Sequence, residues 1–172
     1  MKENDCSIRG EGLWFRYRAC GLIIEDGCVL FAGNNTEDYY YSVGGAVHVG
    51  ETAEEAAARE VFEETGVRYE VDRLAFIHEN FFPGEGSLAG RICHEVALYF
   101  LMKPRGTQAL HPHGTSNGVA ETMHWLPIDR LREYRAFPAF LADYLPVPPG
   151  VTHIVSHNEK TGSKCRERQS NE

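Results

Sequence analysis

One stretch of the chain decides its fold: residues 44–67 read GGAVHVGETAEEAAAREVFEETGV. Within it, Thr52 and Glu55 have the spacing of a capping box, which is a hydroxyl at the N-cap with Glu three residues on. The residues that follow are mostly Ala and Glu, which are good helix formers. Gly66 stands where a left-handed C-cap is expected. The pattern predicts a helix over residues 53–65.

Three carboxylates share one side of this helix. Because successive residues are turned by about 100°, Glu60, Glu63 and Glu64 fall within one arc. Three small residues share that arc, and three others point away from it toward an expected core; these are Ala53, Ala56 and Ala57, and Ala58, Val61 and Phe62. Like charges at these spacings repel, whereas Mg²⁺ prefers carboxylate oxygens and substrate phosphates. This face is therefore a candidate metal site in which the alanines leave room for the ion.

Two further features support a ligand at this face. Arg59 lies one turn from both Glu55 and Glu63, so that it can orient a carboxylate. Glycines, which let the backbone approach a ligand closely, precede the helix at Gly44, Gly45 and Gly50. A Glu-rich helix face is more often merely solvated, and the flanking glycines favour a site for a metal and a diphosphate over that alternative.

The same stretch resembles the signature of the Nudix hydrolases, Gly-x5-Glu-x7-Arg-Glu-U-x-Glu-Glu-x-Gly-U, in which U is a bulky aliphatic residue. Gly45, Glu51, Arg59 and residues 60–67 match it without a mismatch. The resemblance implies an α/β fold, the Nudix α/β/α sandwich with a mixed central sheet, in a single domain. It also implies hydrolysis of a diphosphate linked to another group, with Mg²⁺ as the cofactor and Mn²⁺ as its substitute.

The resemblance assigns roles to particular residues. It implies metal ligands at Glu60, Glu63, Glu64 and the backbone carbonyl of Gly44. Glu63 and Arg59 are the catalytic candidates of the signature, and Gly45 is a candidate substrate contact.

A further Glu downstream of the signature serves several Nudix enzymes as a metal ligand or general base. Glu121 and Glu95 are the two candidates here, and Glu121 is favoured because it precedes a segment similar to the late strand of the family. The alternative for each is an ordinary surface carboxylate. The general base is thus one of Glu63, Glu95 and Glu121.

Contacts to the substrate are less well specified. Arg18 and Arg91 are candidates, since the guanidinium fork matches phosphate oxygens, although surface ion pairs explain both equally. Pro83 stands sixteen residues after Val67, where ADP-ribose pyrophosphatases commonly carry a Pro, but a hairpin turn also explains it. His48, in the loop before the helix, is a weaker candidate for touching substrate.

Composition sets the class of protein. A chain of 172 residues with a net charge of -8 makes nucleic acid an unlikely partner, and no apolar run approaches the ~20 residues of a membrane span. Five scattered Cys and a polar N-terminus predict reduced thiols and a cytoplasmic protein. The pair His111 and His113 has no partner pair at zinc-ligand spacing and is interpreted as a polar loop. A homodimer is left open.

Turn residues and hydrophobic runs divide the chain. We predict an N-terminal arm over residues 1–15, the Nudix domain over 16–155 and a polar, disordered tail over 156–172. Strands are predicted over 16–25, 28–32, 69–82, 91–102 and 121–126, with a hairpin at Asp26-Gly27, a long loop over 103–118 and one or two helices over 127–145.

The sequence therefore predicts divalent-metal-dependent hydrolysis of a nucleoside-diphosphate-linked compound. The substrate would be a small nucleotide or nucleotide sugar, either of the ADP-ribose type or a nucleoside triphosphate. The alternative is a Nudix domain that binds nucleotide sugars as a sensor without hydrolysing them. Such sensors usually have eroded signature carboxylates, and those of this chain are intact.

Overall fold

The computed structural model describes residues 4–34, 38–111, 115–116 and 119–157. Most of the predicted tail, from residue 158 on, lies outside the described residues. So do residues 112–114 and 117–118 of the long loop, and His113 with them. Within the described loop, the N–H of His111 donates to the carbonyl of Thr65 at 2.9 Å, so the loop reaches the C-terminal end of the predicted helix.

Strands dominate the described part of the chain. The elements follow in the order β1 (Ser7–Gly10), β2 (Leu13–Leu22), β3 (Ile24–Glu25), β4 (Cys28–Asn34), β5 (Tyr40–Ser42), β6 (Gly44–Ala46), α1 (Ala53–Thr65), β7 (Val71–Pro83), β8 (Ile92–Met102), β9 (Thr115–Ser116), β10 (Val119–Pro127), β11 (Ala136–Phe137), α2 (Leu141–Tyr144) and β12 (Thr152–His157). Two short 3₁₀ turns, Gly86–Leu88 and Ile128–Glu133, lie between them. Neither described helix has the length and apolar character to cross a membrane.

The strands form two sheets. The first has the order β1-β2-β8-β7-β12, with β6 added to β2, and the second has the order β11-β5-β4-β10-β9, with β3 added to β4. In the first sheet β2 runs parallel to β8 and β12 parallel to β7, whereas β7 and β8 are antiparallel. The mixed sheet that the sequence predicts is therefore confirmed.

Two apolar cores lie on opposite faces of β2 and β8, because successive side chains of a strand alternate between faces. Ala19 and Phe100 belong to the core under α1. Cys20 and Tyr99, their neighbours in the chain, belong to the other core, which α2 covers with Leu141. The predicted sandwich is thus present. Its second helical layer is thin, because α2 has only four residues and the rest of residues 127–145 forms a 3₁₀ turn and β11.

Helix α1 begins and ends where the sequence predicts. The N–H of Glu55 donates to Oγ1 of Thr52 and the N–H of Thr52 donates to Oε2 of Glu55, which completes the capping box. At the other end Gly66 has φ 69°, and its N–H donates to the carbonyl of Phe62. Such a cap contributes about 1 kcal/mol, so local residues alone fix both helix ends.

The face of α1 that meets the core differs from the prediction. Ala53, Ala56 and Ala57 are buried together with Val61 rather than lining an open site. Small side chains let the helix lie close to β2, where a Cβ at Gly21 would stand 2.3 Å from Val61 Cγ2.

Two residues expected in the core under α1 also lie elsewhere. Phe62 is 39% exposed, and Arg68 lies over its ring at 4.3 Å. Ala58 is only partly buried. The face of α1 that is buried is therefore rotated about the helix axis relative to the face that the sequence predicts to be buried.

The strands match their predicted places with small shifts. Asp26 and Gly27 both have positive φ, 49° and 73°, as a tight hairpin between β3 and β4 requires. The first long strand begins at Leu13 rather than residue 16, and β1 pairs with it inside the predicted N-terminal arm. Strand β12 was not predicted; it runs from Thr152 to His157, joins the first sheet beside β7 and includes the first two residues of the predicted disordered tail.

Candidate active site

The C-terminal half of α1 crosses the short glycine strand β6. Gly45 pairs with Ala19 of β2 and carries no side chain, and the carboxylate of Glu60 occupies the space this leaves. A Cβ at Gly45 would stand 2.5 Å from the carboxylate carbon and from both oxygens of Glu60. Gly45 therefore makes the cradle in which one signature carboxylate lies against the sheet.

Glu64 is the signature carboxylate that lies deepest. Its Oε1 accepts a hydrogen bond from the N–H of Gly44 at 2.9 Å. Its Oε2 is buried and has no hydrogen-bond partner among the described residues. Burial, and then the charges of Glu121 and Glu60, raise the pKa of Glu64 to about 8, although the Gly44 N–H and Arg18 oppose that rise. Without a cation, burial therefore favours the protonated form of Glu64.

Arg59 organises the entrance to the site. Its Nε and Nη2 donate to the two oxygens of Glu51 at 2.8 and 2.9 Å, and its Nη1 donates to Oε1 of Glu60 at 2.5 Å. Its Nη2 also donates to the carbonyl of Ala46 at 3.1 Å. Glu55, which the sequence offered as a partner, caps the helix instead.

Glu51 is a site residue that helical spacing could not find. It precedes the helix by two residues and lies eight residues from Arg59, so that only the fixed Glu of the signature marks it. The hydrogen bond from Arg59 lowers the pKa of Glu51 below its ordinary value. Its Oε2 also accepts from the N–H of His48 at 3.1 Å.

His48, a weak candidate for touching substrate, lies between two carboxylates. Its Nδ1 is 3.8 Å from Oε2 of Glu51, and its Nε2 is 3.7 Å from Oδ1 of Asp5 in the N-terminal segment. The ring thus lies between the N-terminal segment and the loop before α1, which are joined by backbone hydrogen bonds from the N–H of Cys6 to the carbonyl of Val47 and from the N–H of Val49 to the carbonyl of Asn4.

Glu63 lies at the rim. Its side chain is 49% exposed, and its Oε1 is 3.6 Å from Nη1 of Arg59, which is beyond a hydrogen bond. The three signature carboxylates thus occupy three environments: Oε2 of Glu64 is buried, the carboxylate of Glu60 lies against Gly45, and Glu63 is accessible to solvent.

Glu121 comes to the site from the second sheet. It lies in β10 opposite Asn34 of β4, and its charge is close enough to Glu64 to raise the pKa of that group. The hydroxyl of Tyr41 donates to its Oε1 at 2.6 Å. Burial, and then Glu121, raise the pKa of Tyr41, so this hydroxyl keeps its proton and remains a donor.

Glu95, the other candidate base, lies elsewhere. It lies on the same face of β8 as Ala97 and Tyr99, which belong to the core that α1 does not cover. Arg16 Nε donates to its Oε2 at 2.7 Å. Burial would raise the pKa of Glu95, but Arg16 and Arg18 outweigh it and hold the pKa below its ordinary value. Glu95 is therefore an ion-pair partner on the far face of the sheet.

The two arginines that are candidate substrate contacts lie in different parts of the structure. Arg18 Nη2 donates to the carbonyls of Ser42 and Gly44 at 2.8 and 2.9 Å, so it supports the glycine strand from below. Arg91 lies in the turn between β7 and β8 and donates to the carbonyl of Ser87. The structure brings Arg18 to the site and leaves Arg91 outside it.

Pro83 shares the turn that holds Arg91. It ends β7 opposite Ile92, which pairs in turn with Leu13 of β2. Six residues of β2, about 20 Å, separate Leu13 from Ala19, which pairs with Gly45. In the described chain Pro83 is therefore a hairpin residue, remote from the carboxylates.

The residues fit a divalent metal, although they do not form a ready cage. No three His, Cys, Asp or Glu side chains of the described residues converge closely enough to hold an ion as they stand. Glu60 is bound to Arg59, and Glu64 to the Gly44 N–H. The buried, unpartnered Oε2 of Glu64 is nevertheless the group that a hard cation satisfies. The available donor set is Glu60, Glu63, Glu64 and the Gly44 carbonyl.

Comparison with known proteins gives the family. The model described as NUDIX domain matches residues 14–146. A MutT-like protein of Streptomyces ambofaciens is 31% identical over 144 residues, which are 81% of this chain and 82% of that protein.

Solved structures of low identity share the fold. The mutator MutT protein from Bacillus halodurans aligns with a TM-score of 0.62 at 15% identity, over 83% of this chain and 89% of that one. An ADP-ribose pyrophosphatase from Streptococcus suis aligns with a TM-score of 0.53 at 13% identity, over 81% and 98%.

The family match and the geometry concern the same residues. The matched range runs from β2 through α2, and so contains the glycine strand, α1 and β10 with Glu121. The relative from Streptomyces extends the likeness over most of both chains. The chain therefore belongs to the NUDIX domain family and is a pyrophosphohydrolase of that family.

Proposed function

We propose that this protein hydrolyses a nucleoside-diphosphate-linked compound with the help of Mg²⁺, or of Mn²⁺ in its place. The observation that carries the proposal is the carboxylate of Glu64, which is buried with one oxygen unpartnered while Glu60 and Glu121 lie near it. Three carboxylates are costly to hold together without a cation. A diphosphate substrate adds further negative charge, so a cation is also needed to reduce the repulsion between the substrate and the carboxylates.

The metal would be held by the carboxylates of α1 and the carbonyl of Gly44. Once bound, such an ion stabilises the charge that develops on phosphate oxygens during attack by water. The chain's own residues prepare this site: Gly45 makes room for Glu60, and Arg59 fixes Glu51 and Glu60.

Glu121 is the general base that we favour. It faces the carboxylates of α1 from the second sheet and is held by Tyr41. Glu63 is the alternative, because it is accessible and adjacent to Arg59. We do not favour Glu95 as the general base, since it lies on the far face of the first sheet in an ion pair with Arg16.

The substrate is a small nucleotide or nucleotide sugar, and the two classes we propose are nucleoside triphosphates and ADP-ribose-type compounds. The relative named MutT-like supports the family chemistry and not one substrate. The position of Pro83 at the end of β7 supports the hairpin explanation of this residue. Location in the cytoplasm stays a prediction; the four described cysteines, Cys6, Cys20, Cys28 and Cys93, are free thiols.

A panel assay tests the proposal. The protein is incubated with nucleoside triphosphates, ADP-ribose, dinucleoside polyphosphates and a nucleotide sugar, each with Mg²⁺, with Mn²⁺ and with EDTA, and products are separated by chromatography. We expect metal-dependent release of a nucleoside monophosphate from one class. Glu64→Gln should abolish most of this activity, while Glu54→Gln, an exposed position on the same helix, should retain it.

The same panel separates the enzyme from the sensor. A sensor would bind one of these compounds tightly, as calorimetry would show, and release no product with either metal. Equal turnover in EDTA, or equal activity of the Glu64→Gln and Glu54→Gln variants, would also contradict the proposal.

A further inference from the structure

We propose that β12 is a self-association edge, at which two copies of the chain pair their β12 strands antiparallel around a two-fold axis at Val155. The first observation is the position of β12. It is the last strand of the first sheet and pairs with β7 through all six of its residues. On its other side, no described strand and no described backbone hydrogen bond engages it. Outward N–H and C=O groups of such an edge are a template for another strand.

The second observation is that β12 lacks the devices that usually protect an edge. Its sequence, THIVSH, contains no Pro, Gly, Lys, Arg, Asp or Glu, and its pairing with β7 runs without a bulge. The other described edge strands are shorter: β1 has four residues and includes Arg9, and β9 and β11 have two each. Charges, bulges and shortness are what natural proteins use to block edge pairing, and β12 has none of them.

The third observation is the alternation of exposure along the strand. His153, Val155 and His157 are exposed, whereas the residues between them are partly buried. Val155, an apolar residue in mid-strand, is 51% exposed. A neighbouring strand would cover part of that apolar surface, and cross-strand pairs of β-branched residues stabilise a sheet.

The alternation of exposed and partly buried residues along β12 determines the register in which two copies can pair. Directly opposed residues of antiparallel strands lie on the same face of the sheet, so exposed residues of one copy must oppose exposed residues of the other. An axis at Val155 places Val155 opposite Val155 of the second copy and His153 opposite its His157. A two-fold axis makes the contact closed, so the association stops at the dimer.

The strand itself adds little charge to the approach of two copies. Two copies with a net charge of -8 each repel on approach. Residues 151–157 carry no formal charge when His is counted as neutral, and the carboxylate of Glu79, opposite Val155 in β7, lies 2.8 Å from Nε2 of His153. The carboxylates of α1 lie over β2 and β6, and two strands, β8 and β7, separate β2 from β12 in the sheet, so the dimer leaves the active site open.

Matched lysine variants of the full chain test the proposal. Val155→Lys places a charge at the axis, and Val151→Lys places it at an equally exposed Val, 53%, just before the strand. Light scattering after size exclusion should give twice 19.3 kDa for the parent and for Val151→Lys. Val155→Lys should elute as a monomer, with its dissociation constant raised at least tenfold by sedimentation. Its melting temperature at low concentration and its kcat should stay at the parent's values.

A cross-link then tests the register. Val155→Cys should form an intermolecular disulfide under mild oxidation, because paired strands bring opposed Cα atoms to about 4.5–5.5 Å, within disulfide range. Val151→Cys and the parent, which carry the same native cysteines, should form far less of it. A parent protein that is monomeric at 100 µM would overturn the proposal. So would equal dissociation constants for Val155→Lys and Val151→Lys, or equal disulfide yields for Val155→Cys and Val151→Cys. If the parent protein showed no catalytic activity, that result would contradict the proposed function and not the proposed dimer.

Discussion

The N–H of Gly44 donates a hydrogen bond of 2.9 Å to Oε1 of Glu64 and so joins α1 to the strand beneath it. The bond satisfies one carboxylate oxygen and leaves Oε2 buried without a partner among the described residues. The donor requires a glycine, because Gly44 has a positive φ and a Cβ there would stand 2.3 Å from the carbonyl oxygen of Ala19. Glu64 thus has a fixed position and an unmet demand for a proton or a cation.

The first prediction follows from the pKa of Glu64, which burial raises from 4.5 to about 8. Between these values the folded, metal-free protein holds a proton that the unfolded chain releases. Its contribution to stability is therefore fully present below pH 4.5 and is lost as the pH rises through about 8, at no more than about 1.4 kcal/mol per pH unit. In EDTA, the melting temperature of the parent should fall between pH 5.5 and pH 8.5 by more than that of Glu64→Gln. Parallel curves for the two proteins would contradict the assignment.

The second prediction concerns the cradle at Gly45. Gly45→Ala places a Cβ where the carboxylate of Glu60 lies, and this flexible end of the side chain must move away. We expect kcat/KM and the affinity for Mn²⁺ to fall roughly 10- to 100-fold, the scale for disturbed support of a metal site. Thermal stability should change little. Gly10→Ala, where the nearest atom is 4.0 Å away, is the matched control, and an equal effect there would refute the role of the cradle.

The third prediction measures the pairing of Arg59 with Glu51. A double-mutant cycle with Arg59→Met and Glu51→Gln should give a coupling free energy of about 1–2 kcal/mol, since the pair is bidentate and mostly shielded from solvent. The same cycle on the exposed pair Arg130 and Glu133 should give a smaller value. Chemical denaturation of the four proteins in each cycle supplies both numbers. Equal couplings would mean that Arg59 is only a surface partner.

The fourth prediction separates Tyr41 from ordinary packing. Tyr41→Phe removes the hydroxyl that donates to Glu121 and leaves the ring in place. If Glu121 acts on water, kcat should fall about tenfold, less than the roughly 10²–10⁴-fold that a positioned acid–base group itself contributes, because Tyr41 acts only through Glu121; KM should stay close to the parent's value. Tyr41→Phe should add little to the loss caused by Glu121→Gln. Tyr144→Phe, in α2, serves as the control, and full activity of Tyr41→Phe would exclude this role.

How far the sequence predicts the structure depends on whether the signal is local. The ends of α1 agree with the prediction to the residue, because Thr52, Glu55 and Gly66 act within one turn of the positions they fix. Helical spacing also placed Glu60 and Glu64 on one face, but it could not say what that face meets. Alanines suit close packing on a sheet as well as they suit an open site, and here they pack.

Contacts between distant parts of the chain were beyond the sequence. β12 pairs in parallel with β7, more than seventy residues away, and a short uncharged stretch carries no signal of its partner. Glu95 shows the same limit. Its place in an apolar strand marked it as unusual, but only the register of β2 against β8 reveals Arg16 beside it. Glu121 lies in β10 of the second sheet, near enough to Glu64 for its charge to raise the pKa of that group, and its role as general base stays a prediction.

Helix α1, which carries the site, is capped at both ends by residues that have no proposed role in catalysis. Thr52 and Glu55 begin α1, and Gly66 ends it, whatever stands at positions 60, 63 and 64. Amide replacements of the carboxylates should therefore give soluble, well-ordered proteins that bind a nucleotide without cleaving it. Such variants are suited to trapping intact compounds from a cell extract and to crystallising the captured complex, which would identify the natural substrate directly.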